Sequence, residues 1–191
     1  KACESFRNMR AYISMGLLVH LQVDGRYRSG DVATGLNKEM KIHTRVLGPS
    51  WVRADRLELF TNGHRILTRD LRPTSKIEKA NLTFTLPRPL HDAHLIAIAT
   101  GPGITEPFWE SPRPYVPTTP NHTPRVQGAT NPIFIDGNGD GKYNAPRAQA
   151  RQLLTQHARD LKGLFNALAQ YDQAVTAQAA ALLHRTGHDL N

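Results

Sequence analysis

Asp136, Asn138 and Asp140 stand at alternate positions ahead of Gly141, in the stretch from Thr130 to Arg147. Oxygen ligands at positions 1, 3 and 5 with Gly at position 6 make up the first half of a calcium loop. The main-chain carbonyl of Lys142 would serve at position 7 and Asn144 at position 9. Arg147 occupies position 12, where a bidentate acid should close such a site. The motif is therefore incomplete. An Asp/Asn/Gly-rich turn whose side chains satisfy their own backbone is the competing reading.

The nine histidines invite a metal site. His91 and His94 are three residues apart, at a turn that leads into an apolar strand. His184 and His188 have the four-residue spacing of zincins, but the Glu needed as general base is missing. His20 and His43 fall on the polar faces of their strands. A solvated or hydrogen-bonded histidine is the simpler reading for each. A Gly-x-Ser-x-Gly elbow is absent, and Gly101-Pro-Gly103 replaces with Pro a donor that a phosphate loop would want. No catalytic residue is assigned.

The elements that must position these residues come in two kinds. Leu17, Val19, Leu21 and Val23 alternate on one strand face, and Met40, Ile42, Thr44 and Val46 on another. Residues 54–61 and 64–69 flank Asn62-Gly63, a hairpin signal because both residues tolerate positive φ. Residues 80–86 and 94–100 add two strands, the second almost wholly apolar and hence central. Seven or so strands within about 115 residues predict a mainly β fold with C-terminal α, built on an immunoglobulin-like β-sandwich.

Residues 101–127 carry seven prolines together with Phe108, Trp109 and Tyr115. That composition predicts a strap lying over a surface. Beyond Ala148, Leu154, Leu161, Leu168, Val175 and Leu182 recur every seven residues. The stripe predicts one long or two shorter helices, broken near Gly163 or Tyr171-Asp172 and ended at Gly187. It also offers a route to a homo-oligomer. Arg147, Arg151 and Arg159 could meet phosphate or carboxylate groups, with a solvated helix face as the plainer reading.

The bulk properties bound the function. The 191 residues carry a net charge of +8 from 17 Arg and 7 Lys against 16 acids. The arginines are scattered rather than gathered in a stripe with aromatics, which argues against nucleic-acid binding. Cys3 is the single cysteine, so no internal disulfide forms. No apolar run approaches the ~18 residues of a membrane span. Asn81-Leu-Thr83 and Asn121-His-Thr123 match the glycosylation acceptor pattern. The compartment stays open, a secreted or periplasmic one being preferred. The opening at Lys1, with a short helix and strand, suits part of a longer protein.

Three phrases together resemble a known family. Ala54-Asp-Arg-Leu-Glu-Leu-Phe-Thr-Asn-Gly63, the strap Pro107-Phe-Trp and Pro112-Arg-Pro-Tyr115, and Ala129-Thr-Asn-Pro-Ile-Phe-Ile-Asp-Gly-Asn-Gly-Asp-Gly-Lys142 are similar to the C-terminal part of carbaryl-hydrolase-like (CehA/McbA) metallohydrolases. Ala11-Tyr-Ile-Ser-Met-Gly16 resembles the last strand of their polymerase-and-histidinol-phosphatase (PHP) domain, with Met15 where that family has Asn. The resemblance implies a hydrolase whose His, Asp and Glu ligands hold divalent metals in the PHP barrel. Those motifs, of His-x-His and Gly-Ser-Asp-Ala-His type, do not occur in this sequence.

The expected organisation follows. Residues 1–16 are the remnant of a preceding PHP-type domain and 17–100 the β-sandwich. Residues 101–146 form the strap, the final strand and the Asp/Gly turn, and 147–191 a helical tail. The expected role is a non-catalytic accessory region that braces a PHP-type catalytic domain or shapes substrate access, without turnover of its own. A free-standing carbohydrate- or protein-binding module, stabilised by calcium, is the alternative, with Trp51 and Trp109 as stacking surfaces.

Overall fold

The computed structural model describes residues 1–102, 126–158 and 160–185. The chain is mainly β in two sheets, with helices at its C-terminal end. The order is α1 (Ala2–Arg7), β1 (Tyr12–Met15), β2 (Leu18–Val23), β3 (Tyr27–Arg28), β4 (Val32–Ala33), β5 (Glu39–Leu47), β6 (Arg56–Thr61), β7 (His64–Asp70), β8 (Glu78–Pro87), β9 (Ala93–Gly101), β10 (Val126–Thr130), β11 (Ile133–Ile135), α2 (Pro146–Gln156), α3 (Leu161–Leu168) and α4 (Gln173–Arg185).

Period-2 alternation drives the sheets. Leu17, Val19, Leu21, Val23, Met40, Ile42 and Val46 are all buried, and they meet Leu57 and Leu59 of β6 with Leu95, Ala97 and Ala99 of β9. One four-stranded sheet runs β3-β2-β5-β8, antiparallel throughout. In the seven-stranded sheet β9 is central, flanked by β6 along one edge and by β10 and β11 along the other. Burying apolar faces of this extent is the dominant favourable term, at about 25 cal/mol per Å².

The Asn62-Gly63 turn forms as expected. Thr61 pairs with His64, and Asn62 and Gly63 take φ of 48° and 83°. Asp24 and Gly25, with φ of 51° and 71°, open a three-residue turn between the paired Val23 and Tyr27 of β2 and β3.

The structure corrects several expectations. The described residues hold eleven strands rather than about seven. The extra β3 and β4 have only two residues each and carry no periodicity to read. Val126 and Gln127, assigned to the strap, begin β10. β1 joins the seven-stranded sheet antiparallel to β10. The rest of the strap, with Phe108, Trp109 and Tyr115, lies outside the described residues, as do Asn121, Arg159, Gly187 and His188.

Among the described residues the tail forms three helices, not one or two. α2 ends at Gln156, α3 ends at Leu168 and α4 starts at Gln173; Gly163 sits within α3, where its N–H donates to the N-cap Asp160. Of the seven-residue stripe, Leu161 alone is exposed: Leu168 and Val175 are buried, and Leu154 and Leu182 pack against them. Leu161 and Phe165 are more than half exposed, whereas Leu153, Leu164, Leu168, Val175, Ala179 and Leu183 close a small core of their own.

Candidate functional site

Polar side chains concentrate where β11 runs out towards the helices. Asp136 is 1% exposed, and its carboxylate accepts from three successive loop amides: Gly139 at 2.7 Å, Asp140 at 3.1 Å and Gly141 at 2.9 Å. Asn138 Oδ1 accepts from Asp140 N at 3.0 Å, and Asn138 Nδ2 donates to Asp140 Oδ2 at 3.2 Å. Asp140 Oδ1 in turn accepts from Lys142 N at 2.9 Å. Asp136, Asn138 and Asp140 are therefore brought together in one tight turn. Positive φ at Gly139 and Gly141 makes the turn possible.

Asn144 is drawn away from that turn. Its backbone N–H and its Nδ2 both donate to Asp92 Oδ2, at 2.7 and 3.1 Å. Asp92 Oδ1 accepts from Gly137 N and Asn138 N. With four bonds on its two oxygens, Asp92 is a fixed structural post and not the missing twelfth-position acid. Gln149 of α2 completes the junction by donating Nε2 to the Asp92 and Asn144 carbonyls. Gly137 is required here, because a Cβ would collide with the His91 carbonyl oxygen.

The donor set fits calcium in part. Asp136, Asn138, Asp140 and the Lys142 carbonyl are hard oxygen donors of the right type. Only two of them are acids, and Asn144 is committed elsewhere. Such a site would hold the ion weakly, because affinity in loops of this kind rises with ligand charge.

A second network ties the β6–β7 turn to the helices. Asp172 caps α4, accepting from Val175 N at 3.0 Å, and its other oxygen receives Asn62 Nδ2 at 2.7 Å and faces His91 Nε2 at 3.1 Å. Burial would push the Asp172 carboxyl up, but the Asn62, His91 and Val175 donors together hold it below the usual range. His91 stacks against Tyr171 at 5.0 Å, and its Nδ1 is buried with no partner among the described residues. Burial depresses His94, partly offset by the Asp172 charge. A cleft of about 530 Å³ opens beside this network, between Asn62-Gly63 and Gln173-Ala174.

The outer face of the four-stranded sheet carries His20, Gln22, His43 and Arg45, with Arg28 and Tyr12 beside them, around a groove of about 370 Å³. Sequence reading placed His20 and His43 on polar faces but did not join them, because β2 and β5 pair across a separation of some twenty residues. His91 faces the Asp172 carboxylate, and His94 feels the charge of the same group. Among the described residues, no three His, Cys, Asp or Glu side chains converge as a metal-binding group. No described helix is long and apolar enough to cross a membrane.

Asp92 and Gln149 are not singled out by the sequence, which marks Asn62 and Asp172 only as a turn residue and a helix break. Comparison with family models, with characterised proteins and with solved structures finds no match for this chain.

Proposed function

We propose that this chain is a non-catalytic accessory region of a PHP-type metal-dependent hydrolase of the carbaryl-hydrolase-like kind, bracing its catalytic domain or shaping substrate access. One observation carries this reading. Phe6, Met9, Tyr12, Ile13 and Met15 are 77%, 44%, 39%, 63% and 43% exposed, α1 buries no residue, and β1 has a strand neighbour along β10 alone among the described residues. So many large apolar side chains within fifteen residues mark a surface that another body covers. The Ala11–Gly16 resemblance selects the PHP domain as that body. The two facing sheets are read as an immunoglobulin-like sandwich. The catalytic metal belongs to the PHP domain, and the Asp136 turn takes a weakly held calcium ion.

The test is to assay residues 1–191 alone on phosphoesters and carbamate esters with manganese or zinc. No turnover is expected; metal-dependent turnover would overturn the proposal. In a full-length parent, residues 1–16 should also be protected from hydrogen exchange, and free exchange there would count against docking.

Half-exposed Trp51 favours a second reading, a carbohydrate- or protein-binding module. Glycan-array binding lost on Trp51→Ala or Trp109→Ala would select it. An empty array would dismiss the carbohydrate form of that reading.

A further inference from the structure

We propose that the outward face of the β3-β2-β5-β8 sheet is an oxyanion site that takes the phosphate group of a small molecule between Arg28 and Arg45. The site does not rest on the accessory role, and Tyr12 at its rim is the one lining residue shared with the surface assigned there to the catalytic domain.

Strand register builds it. Arg28 lies opposite Gln22, and Gln22 opposite His43, on one rung; His20 lies opposite Arg45, and Arg45 opposite Asn81, on the next. The intervening Leu21, Ile42 and Thr44 are buried in the core, so all of these side chains leave the sheet on the solvent side. Directly opposed residues lie about 5 Å apart at Cβ; Arg28 and Arg45 stand two strands and one rung apart, and their long side chains both line the groove. The groove they line, about 370 Å³, is of small-ligand size.

The donors are braced for the task. With the Gln22 amide oxygen turned towards Arg28, it accepts from Nε at 2.9 Å and Nη2 at 3.2 Å. That arrangement presents the Gln22 amide N–H groups on the opposite side. Arg45 Nε is anchored on Glu78 Oε2 at 2.6 Å, and its Nη groups have no partner among the described residues. Asn81 Nδ2 donates to Glu78, which turns Asn81 Oδ1 onto His43 Nε2 at 2.7 Å and fixes the proton on that nitrogen. Tyr12 meets the His20 ring edge-on, with centroids 5.4 Å apart.

The lining thus holds two permanent cations, two imidazoles and one amide, with no carboxylate among the lining side chains. Glu78 stands behind Arg45 rather than in the groove wall. Planar guanidiniums match tetrahedral oxyanions bidentately. The single aromatic at the groove and its limited volume suit one phosphate on a small molecule rather than a nucleic-acid strand.

Burial, with Arg45 and Arg28 adding to it, lowers the His20 pKa. A phosphate dianion opposes both arginines and so raises it again. The groups facing His20 are Tyr12, Arg28, His43 and Arg45, with Glu78 behind.

The experiment follows the His20 and His43 ring signals by NMR in the whole chain, at constant ionic strength, as inorganic phosphate is added. Saturable shifts with Kd on the order of 1 mM are expected. The His20 titration midpoint should rise, and Arg28→Gln or Arg45→Gln should weaken binding by about tenfold or more. Glucose 6-phosphate and glucuronate form separate arms. Tighter glucose 6-phosphate binding points to a phosphorylated metabolite, and equal binding to free phosphate. Saturation by glucuronate without saturation by phosphate overturns the assignment. Shifts that stay linear to about 50 mM, or that are unchanged in both variants, also overturn it. Both arginines are exposed, so thermal melts should show the variants folded, and the wild-type titration decides the matter by itself.

Discussion

His91 Nε2 lies 3.1 Å from Asp172 Oδ2, so the turn leading into β9 is clasped to the residue that starts α4. Asn62 joins the same carboxylate from the β6–β7 turn. One aspartate therefore serves as helix cap and as rivet between sandwich and helices. Asp172→Ala should cost about 1–2 kcal/mol, the range for a lost cap bonded to further donors. Hydrogen exchange should quicken in α4 first. Unchanged protection there would show that the helices are held by their own core alone.

The same carboxylate sets an acid limit. Its folded pKa is depressed from the ordinary value of 3.8. The stability it adds is fully present well above that value, begins to fade as pH drops towards it, and is lost below the folded pKa. Denaturant melts between pH 6 and pH 2.5, roughly the span bracketing an aspartate's titration, should show an acid slope that shrinks in Asp172→Asn. An identical slope in the variant would remove Asp172 from the account.

Asp92 is 1% exposed and accepts from Gly137 N, Asn138 N, Asn144 N and Asn144 Nδ2. Asp92→Ala would strand these donors, of which Gly137 N is buried and the others are partly so. A loss of about 2–4 kcal/mol is expected, with urea unfolding as the measurement. A loss within experimental error would mean that water replaces the carboxylate there.

Gly137 and Gly139 separate packing from backbone strain. Alanine at 137 collides with the His91 backbone carbonyl, whereas at 139 it meets nothing nearer than Arg88 Nη1 at 3.9 Å. Gly139→Ala should cost about 1 kcal/mol through its φ of +81°. Gly137→Ala should cost clearly more, and the opposite order in thermal melts would refute the packing at this turn.

Calcium at the Asp136 turn is tested by thermal melting in calcium and in chelator. With two acids in the donor set, millimolar calcium should raise the Tm by about 1–5 °C, the scale expected of a weak site that binds only the folded chain. Asp140→Asn should abolish the rise. Equal Tm values would leave the loop as a self-bonded turn.

The sequence by itself determined the strands whose apolar residues alternate, from Leu17–Val23 and Met40–Val46 to Leu57, Leu59 and Leu95–Ala99. It also determined the Asn62-Gly63 turn, because both signals are local: one is the two-residue period of a pleated strand, the other a positive φ that few residues tolerate. Tertiary structure alone decided the two-residue strands β3 and β4, which exist because β2 and β11 offer them partners. It decided the three-helix tail as well, where caps at Asp160 and Asp172 divide the helix while Leu168 and Val175 of the seven-residue stripe stay buried in its core. It alone brought Asp92 to Asn144, Asp172 to His91, and Arg28 to His43 and Arg45. Each pair is joined through sheet register or chain reversal, and no local pattern encodes a contact between residues far apart along the chain.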